Sequence, residues 1–171
     1  MFVHILFNFK DEISGGGSNF LSALRSYFID NGLYSDSIRN ADVVLFNSHH
    51  SIKLALDLKM KYPEKLFIQR IDGPMRLYNN SNDKRDLIVN IANKYIADGT
   101  IFQSNWSRDN NIKMGYIKNK YEAIFLNSSN HLVFYPKKKN KRNFDSKVKL
   151  IAVSWSSNSN KGFEIYSWLD K

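Results

Sequence analysis

Short apolar runs alternate along this chain with segments whose apolar residues recur at helical spacing. Five runs predict strands of a buried sheet, at residues 2–7, 42–46, 66–70, 100–103 and 123–126. The helical segments between them are marked by Phe20, Leu24, Tyr27 and Phe28, by Ile52, Ala55, Leu56 and Met60, and by Ile88, Ile91, Ala92, Tyr95 and Ile96. This alternation calls for β-α-β crossovers around a mainly parallel sheet with helices on both faces. The sequence therefore predicts an α/β, Rossmann-like fold.

The end of the chain predicts the start of a second domain. Residues 149–171 read as a strand, a polar loop and a helix. A strand needs a neighbour and an amphipathic helix needs a face to cover, so this unit is expected to belong to a truncated domain. We expect three parts: a Rossmann-like domain at 1–136, a linker at 137–147 and the second domain from 148 to 171. The exposed apolar side of such a fragment would favour a dimer.

The positive charge of the chain is concentrated in one place. The formal net charge is +9, and a single run, the basic tract, contains Lys137, Lys138, Lys139, Lys141 and Arg142. The tract follows a proline and includes asparagines, which is typical of an exposed linker. Contact with an anionic membrane surface or an acidic polymer is the alternative.

Composition excludes several classes of function. The chain has no cysteine, so disulfides, thiolate catalysis and cysteine-based metal sites are excluded. No apolar run reaches the roughly 18 residues of a membrane span, and the first residues read as a strand instead of a signal peptide. No interleaving of aromatic and basic residues indicates a nucleic-acid-binding module, so no nucleic acid is expected. These features predict a cytoplasmic protein, with the basic tract as a route to the inner face of the membrane.

In a parallel sheet, ligands collect at the carboxyl ends of the strands, so the loops after each strand are the candidate sites. After the first strand lies the glycine loop, Gly15, Gly16 and Gly17, followed by Ser18. Glycines let the backbone approach a ligand, and the helix that Ser18 is expected to cap offers free amides to an anion. A plain flexible turn is the equal alternative.

The second loop contains Asn47, His49 and His50. Adjacent residues at a strand end usually point in different directions, and no further ligands are in view. We therefore expect hydrogen bonding at the edge of a cleft and no bound metal.

The third loop presents Asp72 directly after an apolar strand and before a Gly-Pro turn. Its carboxylate is expected to be held rigidly at the carboxyl end of the sheet. Arg70 and Arg76 are near enough in sequence to pair with it or to bind phosphate. A turn aspartate bonded to local amides is the alternative.

The fourth loop opens the next helix. Ser104 or Asn105 is expected to cap that helix, and Trp106 to pack against the domain. Arg108, in the first turn, is disfavoured by the helix dipole, so it either faces a partner or is solvated.

Together these motifs resemble the N-terminal domain of the family 4 retaining glycosyltransferases, which have the two-domain GT-B fold. The resemblance rests on residues 15–17, 70–74, 102–108 and 154–162, which follow in this order along nearly the whole chain. It implies that the first domain holds the acceptor and that the second binds the nucleotide-sugar donor.

The resemblance also implies roles for single residues. The glycine loop and Lys161 would contact the donor diphosphate, and Asp72 would lie near the transferred sugar, where many members have histidine. Substrate contacts are expected from Asn47, His49, Arg70, Arg76, Ser104 and Arg108. Ser156 stands where the family usually has an arginine that neutralises the diphosphate, which weakens the donor contact. An Asp72→Asn exchange would lower turnover and change stability little.

The predicted function is transfer of a sugar from a nucleotide sugar to a glycan or lipid-linked acceptor, as in polysaccharide biosynthesis. The chain has no Asp-x-Asp pair, so the reaction would be metal-independent and without a cofactor. The resemblance implies that it would also be retaining. As a fragment it is expected to show no transfer and weak nucleotide binding. The alternative is a non-catalytic module that binds a phosphorylated glycan, a lipid or another polyanion, and downstream coding sequence for a second domain would discriminate the two.

Overall fold

The computed structural model describes residues 1–9, 15–79, 81–128, 135, 151 and 161–170. The chain divides into two compact units, Met1–Ser128 and Ser129–Lys171. The first unit contains a five-stranded sheet in which every neighbouring pair is parallel. Its strands are Val3–Leu6 (β1), Val43–Asn47 (β2), Leu66–Ile71 (β3), Gly99–Phe102 (β4) and Tyr121–Ile124 (β5), in that spatial order. Each overlaps a predicted strand, and the α/β prediction is confirmed.

Four helices connect the strands of the first unit: Gly16–Asp30 (α1), Ile52–Lys61 (α2), Arg85–Ile96 (α3) and Asn105–Lys113 (α4). In the second unit, Phe163–Leu169 forms a short helix (α5). The strand predicted before α5 and the linker at 137–147 lie outside the described residues. None of the described helices is long and apolar enough to cross a membrane.

The helices cover both faces of the sheet, as predicted. On one face, Leu21 of α1 packs with Val3, Ile5 and Leu45. On the other face, α2 and α3 pack on residues that alternate with these along the strands, including Val44, Phe46 and Phe67. Fully buried parallel strands require apolar side chains on both faces, which is why the strand segments read as nearly continuous apolar runs.

The five strands follow one another in sequence order, and a single-residue bridge at Tyr34 extends the sheet on the other side of β1, where this order reverses. Tyr34, which follows α1, forms a parallel bridge with Val3. The amide of Val3 donates to the carbonyl of Leu33, and that of Ser35 donates to the carbonyl of Val3, whereas β2 pairs with the opposite edge of β1. The chain thus moves to one side of β1 through α1, crosses to β2 on the other side through residues 35–42, and continues away from β1 through α2, which lies on the opposite face of the sheet from α1. Both crossovers then have the same hand, as the right-handed rule requires.

Only part of the apolar pattern that predicted α3 is buried. Val89, Ala92 and Ile96 are buried, but Ile88, Ile91 and Tyr95 are exposed. Apolar residues surround most of this helix, so helical spacing alone could not identify the side that faces the sheet.

A chain of buried polar groups crosses the sheet beneath α3. Asn93 donates to Gln69 at 2.9 Å and to Thr100 at 2.7 Å, and the Tyr116 hydroxyl lies 3.0 Å from Thr100 and 2.9 Å from Glu122. Burial raises the pKa of Tyr116 to about 12, and the Glu122 carboxylate acts in the same direction. The Tyr116 phenol therefore stays neutral and bonded at physiological pH.

Candidate ligand-binding crevice

A cavity opens where the strand order reverses. It has a volume of about 330 Å³ and is lined by Phe7, Asn8, Phe9, Ser18, Ser22, His50 and Ser51. These residues come from the carboxyl ends of β1 and β2 and from the first turns of α1. In open parallel sheets, ligands bind at this position because the loops on the two sides of the reversal diverge. We call this cavity the crevice.

The walls of the crevice are aromatic. The rings of Phe7 and Phe9 meet edge to face with centroids 5.2 Å apart, and His50 meets Phe7 at 6.0 Å. A second cavity of about 450 Å³ shares Phe7 and Phe9 with the crevice and extends it along α1. There the guanidinium of Arg25 lies 4.9 Å from the ring of Phe9 and 5.2 Å from that of Tyr34. Neither Phe7 nor Phe9 was predicted as a site residue, because Phe7 falls in a predicted strand, Phe9 follows it, and aromatic residues at such positions usually belong to the core.

The glycine loop forms the beginning of α1. Gly15 is the N-cap, in an extended conformation, and the helix starts at Gly16. The prediction that Ser18 caps this helix is wrong, because Ser18 is already its third residue. A Cβ on Gly16 would meet nothing within 4 Å, and one on Gly17 would lie at an ordinary 3.7 Å from Asn47. Neither local packing nor a positive φ requires these two glycines, so their lack of a side chain leaves room for a ligand near the helix amides.

The loop between β2 and α2 is locally strained. Ser48 and Ser51 have φ of 50° and 55°, the left-handed region that non-glycine residues rarely adopt. Two hydrogen bonds hold Ser48 in this conformation. Its backbone amide donates to the carbonyl oxygen of Arg70 at 2.7 Å, and its carbonyl oxygen accepts from the side-chain amide of Gln69 at 2.9 Å. The network under α3 therefore fixes the backbone that brings His50 and Ser51 to the crevice.

The two histidines lie together. Their ring centroids are 4.3 Å apart, so the expectation that they point in different directions is wrong. Burial lowers the pKa of His49, and His50 and Arg85 reinforce this against the opposite effect of Asp72 and Asp83. His49 is therefore neutral at pH 7 and can donate or accept a hydrogen bond. Among the described residues, no group of three or more acidic, histidine or cysteine side chains could hold a metal.

Arg70 is the central residue of a polar network at the carboxyl end of the sheet, which we call the polar floor. Its side chain is only 2% exposed. It donates to Asp72 at 2.6 Å, to Asn47 at 2.9 Å and to Gln103 at 3.2 Å, and its guanidinium lies 4.5 Å from the ring centroid of Phe20. These contacts join β2, β3, β4 and α1. Of the two roles predicted for Arg70, the structure shows the pairing with Asp72.

Arg76 lies apart from this network. Its Nε donates to the carbonyl of Asp83 at 3.0 Å. Asp86 accepts from the amides of Met75 and Arg76 at 2.8 Å and 3.0 Å and so closes the loop after β3. The Arg85 guanidinium lowers the pKa of Asp83 through hydrogen bonds. The guanidinium of Arg76 thus stabilises the loop after β3.

Tyr78 ends the same loop and was not predicted as a site residue. Burial raises its pKa above the usual value, and Asp72 adds to this effect. His49, Asp72 and Tyr78 therefore share one electrostatic environment beside the floor formed by Arg70. The one sequence signal for this grouping is that the three residues follow neighbouring strands, whose carboxyl ends lie at the same edge of the sheet.

The fourth loop meets the third through Trp106 and Gly73. Ser104 caps α4, as predicted, accepting from the amide of Ser107 at 3.0 Å. Trp106 is 52% exposed, yet its ring covers Gly73 so closely that a side chain there would clash. Arg108 lines a different cavity, with Lys118 and Lys120. In the second unit, Lys161 is exposed and precedes α5.

No protein-family model, curated protein or solved structure matches this chain. The α/β fold is established by the sheet itself. The function has to be inferred from the chemistry of the crevice and its floor.

Proposed function

We propose that the first unit is the acceptor-side domain of a nucleotide-sugar-dependent glycosyltransferase with a GT-B fold. The observation that carries this proposal is the crevice, an aromatic-walled and hydroxyl-rich cavity at the reversal of strand order. A sugar presents C–H faces that pack on rings such as Phe7 and Phe9, and hydroxyls that exchange hydrogen bonds with Asn8, Ser22 and His50. The cavity volume falls within the range of about 300–1,000 Å³ found for small-molecule sites.

Sugar transfer breaks the bond between the anomeric carbon of the donor and a diphosphate oxygen. The oxygen of an acceptor hydroxyl bonds to that carbon, and its proton leaves with the diphosphate. The diphosphate gains negative charge, which the amides of the glycine loop would stabilise. The fixed carboxylate of Asp72 would stabilise positive charge on the sugar ring, and neutral His49 would orient a hydroxyl.

The second candidate function is a non-catalytic module for a phosphorylated glycan or lipid. Arg25 favours it, because its guanidinium lies between two rings beside the crevice and its buried Nε makes no hydrogen bond in the described part of the chain. Asp36 pairs with it at 3.5 Å but is largely exposed. A phosphate could compete with that weak pair.

Affinity for neutral and phosphorylated sugars separates the two functions. The acceptor-domain proposal predicts that methyl glycosides bind measurably by calorimetry and that Phe9→Ala lowers their affinity by about tenfold, through loss of a stacking ring. Phe2→Ala is the matched control, because Phe2 is an exposed phenylalanine at the opposite end of β1. Binding of glucose 1-phosphate without any binding of methyl glucoside would instead favour the non-catalytic module.

A further inference from the structure

Helix α3 carries a second apolar face that the rest of the first unit does not cover. Four side chains form it, which we call the α3 face: Leu87 (54% exposed), Ile88 (44%), Ile91 (50%) and Tyr95 (66%). At about 100° per residue they span an arc of about 100°, centred opposite the buried Val89. This arc is as wide as the stripe that a surface helix normally buries against its domain.

Exposed apolar residues also occur on the neighbouring helix. Helix α2 packs beside α3 on the same face of the sheet, and its Leu56 and Met60, one turn apart, are 41% and 67% exposed. Scattered exposed apolar residues are ordinary, but four of them on one side of a single helix mark an interaction surface.

The charges that border the α3 face are positive. Lys84 and Lys94 are both exposed. The two acidic residues near the start of α3 are already engaged: Asp86 accepts from backbone amides of the preceding loop, and Asp83 pairs with Arg85. An anionic partner would therefore meet lysines that form no ion pair with another described residue, at the edge of an apolar stripe.

We propose that the α3 face docks on the surface of an anionic lipid bilayer. Its four apolar side chains enter the boundary between headgroups and acyl chains, and Lys84 and Lys94 lie at the level of the phosphates. An apolar helix face with lysines at its border is the pattern of helices that lie in this interface. Each lysine near an anionic leaflet adds attraction that weakens with salt.

A second copy of the chain is a poorer occupant of this surface. A two-fold interface places the same patch on both subunits, so the lysines that border one face would lie near those of the other. A stable dimer also buries about 800 Å² on each partner, over some 20 to 30 residues, which is far more than the α3 face offers.

Vesicle co-sedimentation tests this proposal on the whole chain. We expect the protein to sediment with vesicles of equal phosphatidylcholine and phosphatidylglycerol, and not with phosphatidylcholine alone. Ile91→Glu should lower the partition coefficient by about tenfold or more, since it removes an inserted side chain and adds a repelled charge. Ile112→Glu is the matched control, because Ile112 is a 43% exposed isoleucine on α4, outside the α3 face. Circular dichroism verifies that both variants are folded.

Three outcomes would overturn the proposal. The first is no binding of the unmodified protein to either vesicle. The second is binding of Ile91→Glu equal to that of the unmodified protein, which would assign the contact to another surface such as the basic tract. The third is a concentration-dependent dimer in light scattering that Ile91→Glu abolishes, which would make a second copy the occupant. None of these results bears on sugar binding in the crevice, so the proposed function is tested separately.

Discussion

Replacing Asp72 by asparagine is expected to lower the free energy of unfolding by about 3 kcal/mol. Arg70 is almost completely buried. Its other hydrogen-bond acceptors among the described residues are the neutral side-chain amides of Asn47 and Gln103. The exchange keeps a hydrogen-bond acceptor near Arg70 but removes the charge that compensates a buried guanidinium. Because of this ion pair, we expect a loss of stability where the sequence alone predicted little change.

Urea unfolding of Asp72→Asn and Asp36→Asn provides the measurement. The two exchanges are chemically identical, but Asp36 is 86% exposed and pairs with Arg25 at a long 3.5 Å. The control should therefore change the free energy of unfolding by about 0.5 kcal/mol or less. Equal, small effects at the two positions would mean that Asp72 does not compensate the charge of Arg70. Loss of turnover in an active enzyme, expected to be about 100-fold, has to be judged at a temperature where the variant remains folded.

Replacing Gly73 by alanine is expected to cost about 2 kcal/mol of unfolding free energy. The new methyl group would overlap the six-membered ring of Trp106, so either that ring or the loop after β3 has to move. Because Gly73 adjoins Asp72, movement of the loop would also disturb the carboxylate that Arg70 holds.

A double-mutant cycle with Trp106→Ala tests this origin of the cost. Removing the indole makes room for the methyl group, so Gly73→Ala should be nearly neutral in the Trp106→Ala background. Gly16→Ala is the glycine control, since a Cβ there meets nothing within 4 Å. If Gly73→Ala lowered the free energy of unfolding equally with and without Trp106, its cost would come from the backbone and not from the contact with the ring.

The fold was accessible from the sequence because buried parallel strands leave a simple pattern. Apolar runs and helical spacing located all five strands and the main helices. The reversal of strand order was not accessible, because a single bridge between Val3 and Tyr34 carries it. The outward side of α3 was not accessible for a related reason: Ile91 and Ile96 are equally apolar, and only packing distinguishes them.

Part of the candidate site could be predicted from the sequence. The rule that ligands gather at the carboxyl ends of parallel strands pointed to Asn47, His49 and Asp72, which the structure brings to one end of the sheet. Burial of Arg70 could not be predicted, because a charged side chain is buried only where partners compensate it, and two of its partners lie 23 and 33 residues away. Phe9 was missed because an aromatic residue after a strand is more often part of the core.

The central claim is that the crevice at the strand reversal binds carbohydrate. Amide chemical shifts in ¹H–¹⁵N spectra, recorded while methyl glycosides are titrated into the isotope-labelled chain, test it most directly. We predict saturable shifts confined to residues 7–9, 18–25 and 47–51, with none around Arg108 and Lys120. Shifts concentrated around Arg108 and Lys120, or no shifts with any neutral glycoside, would contradict it.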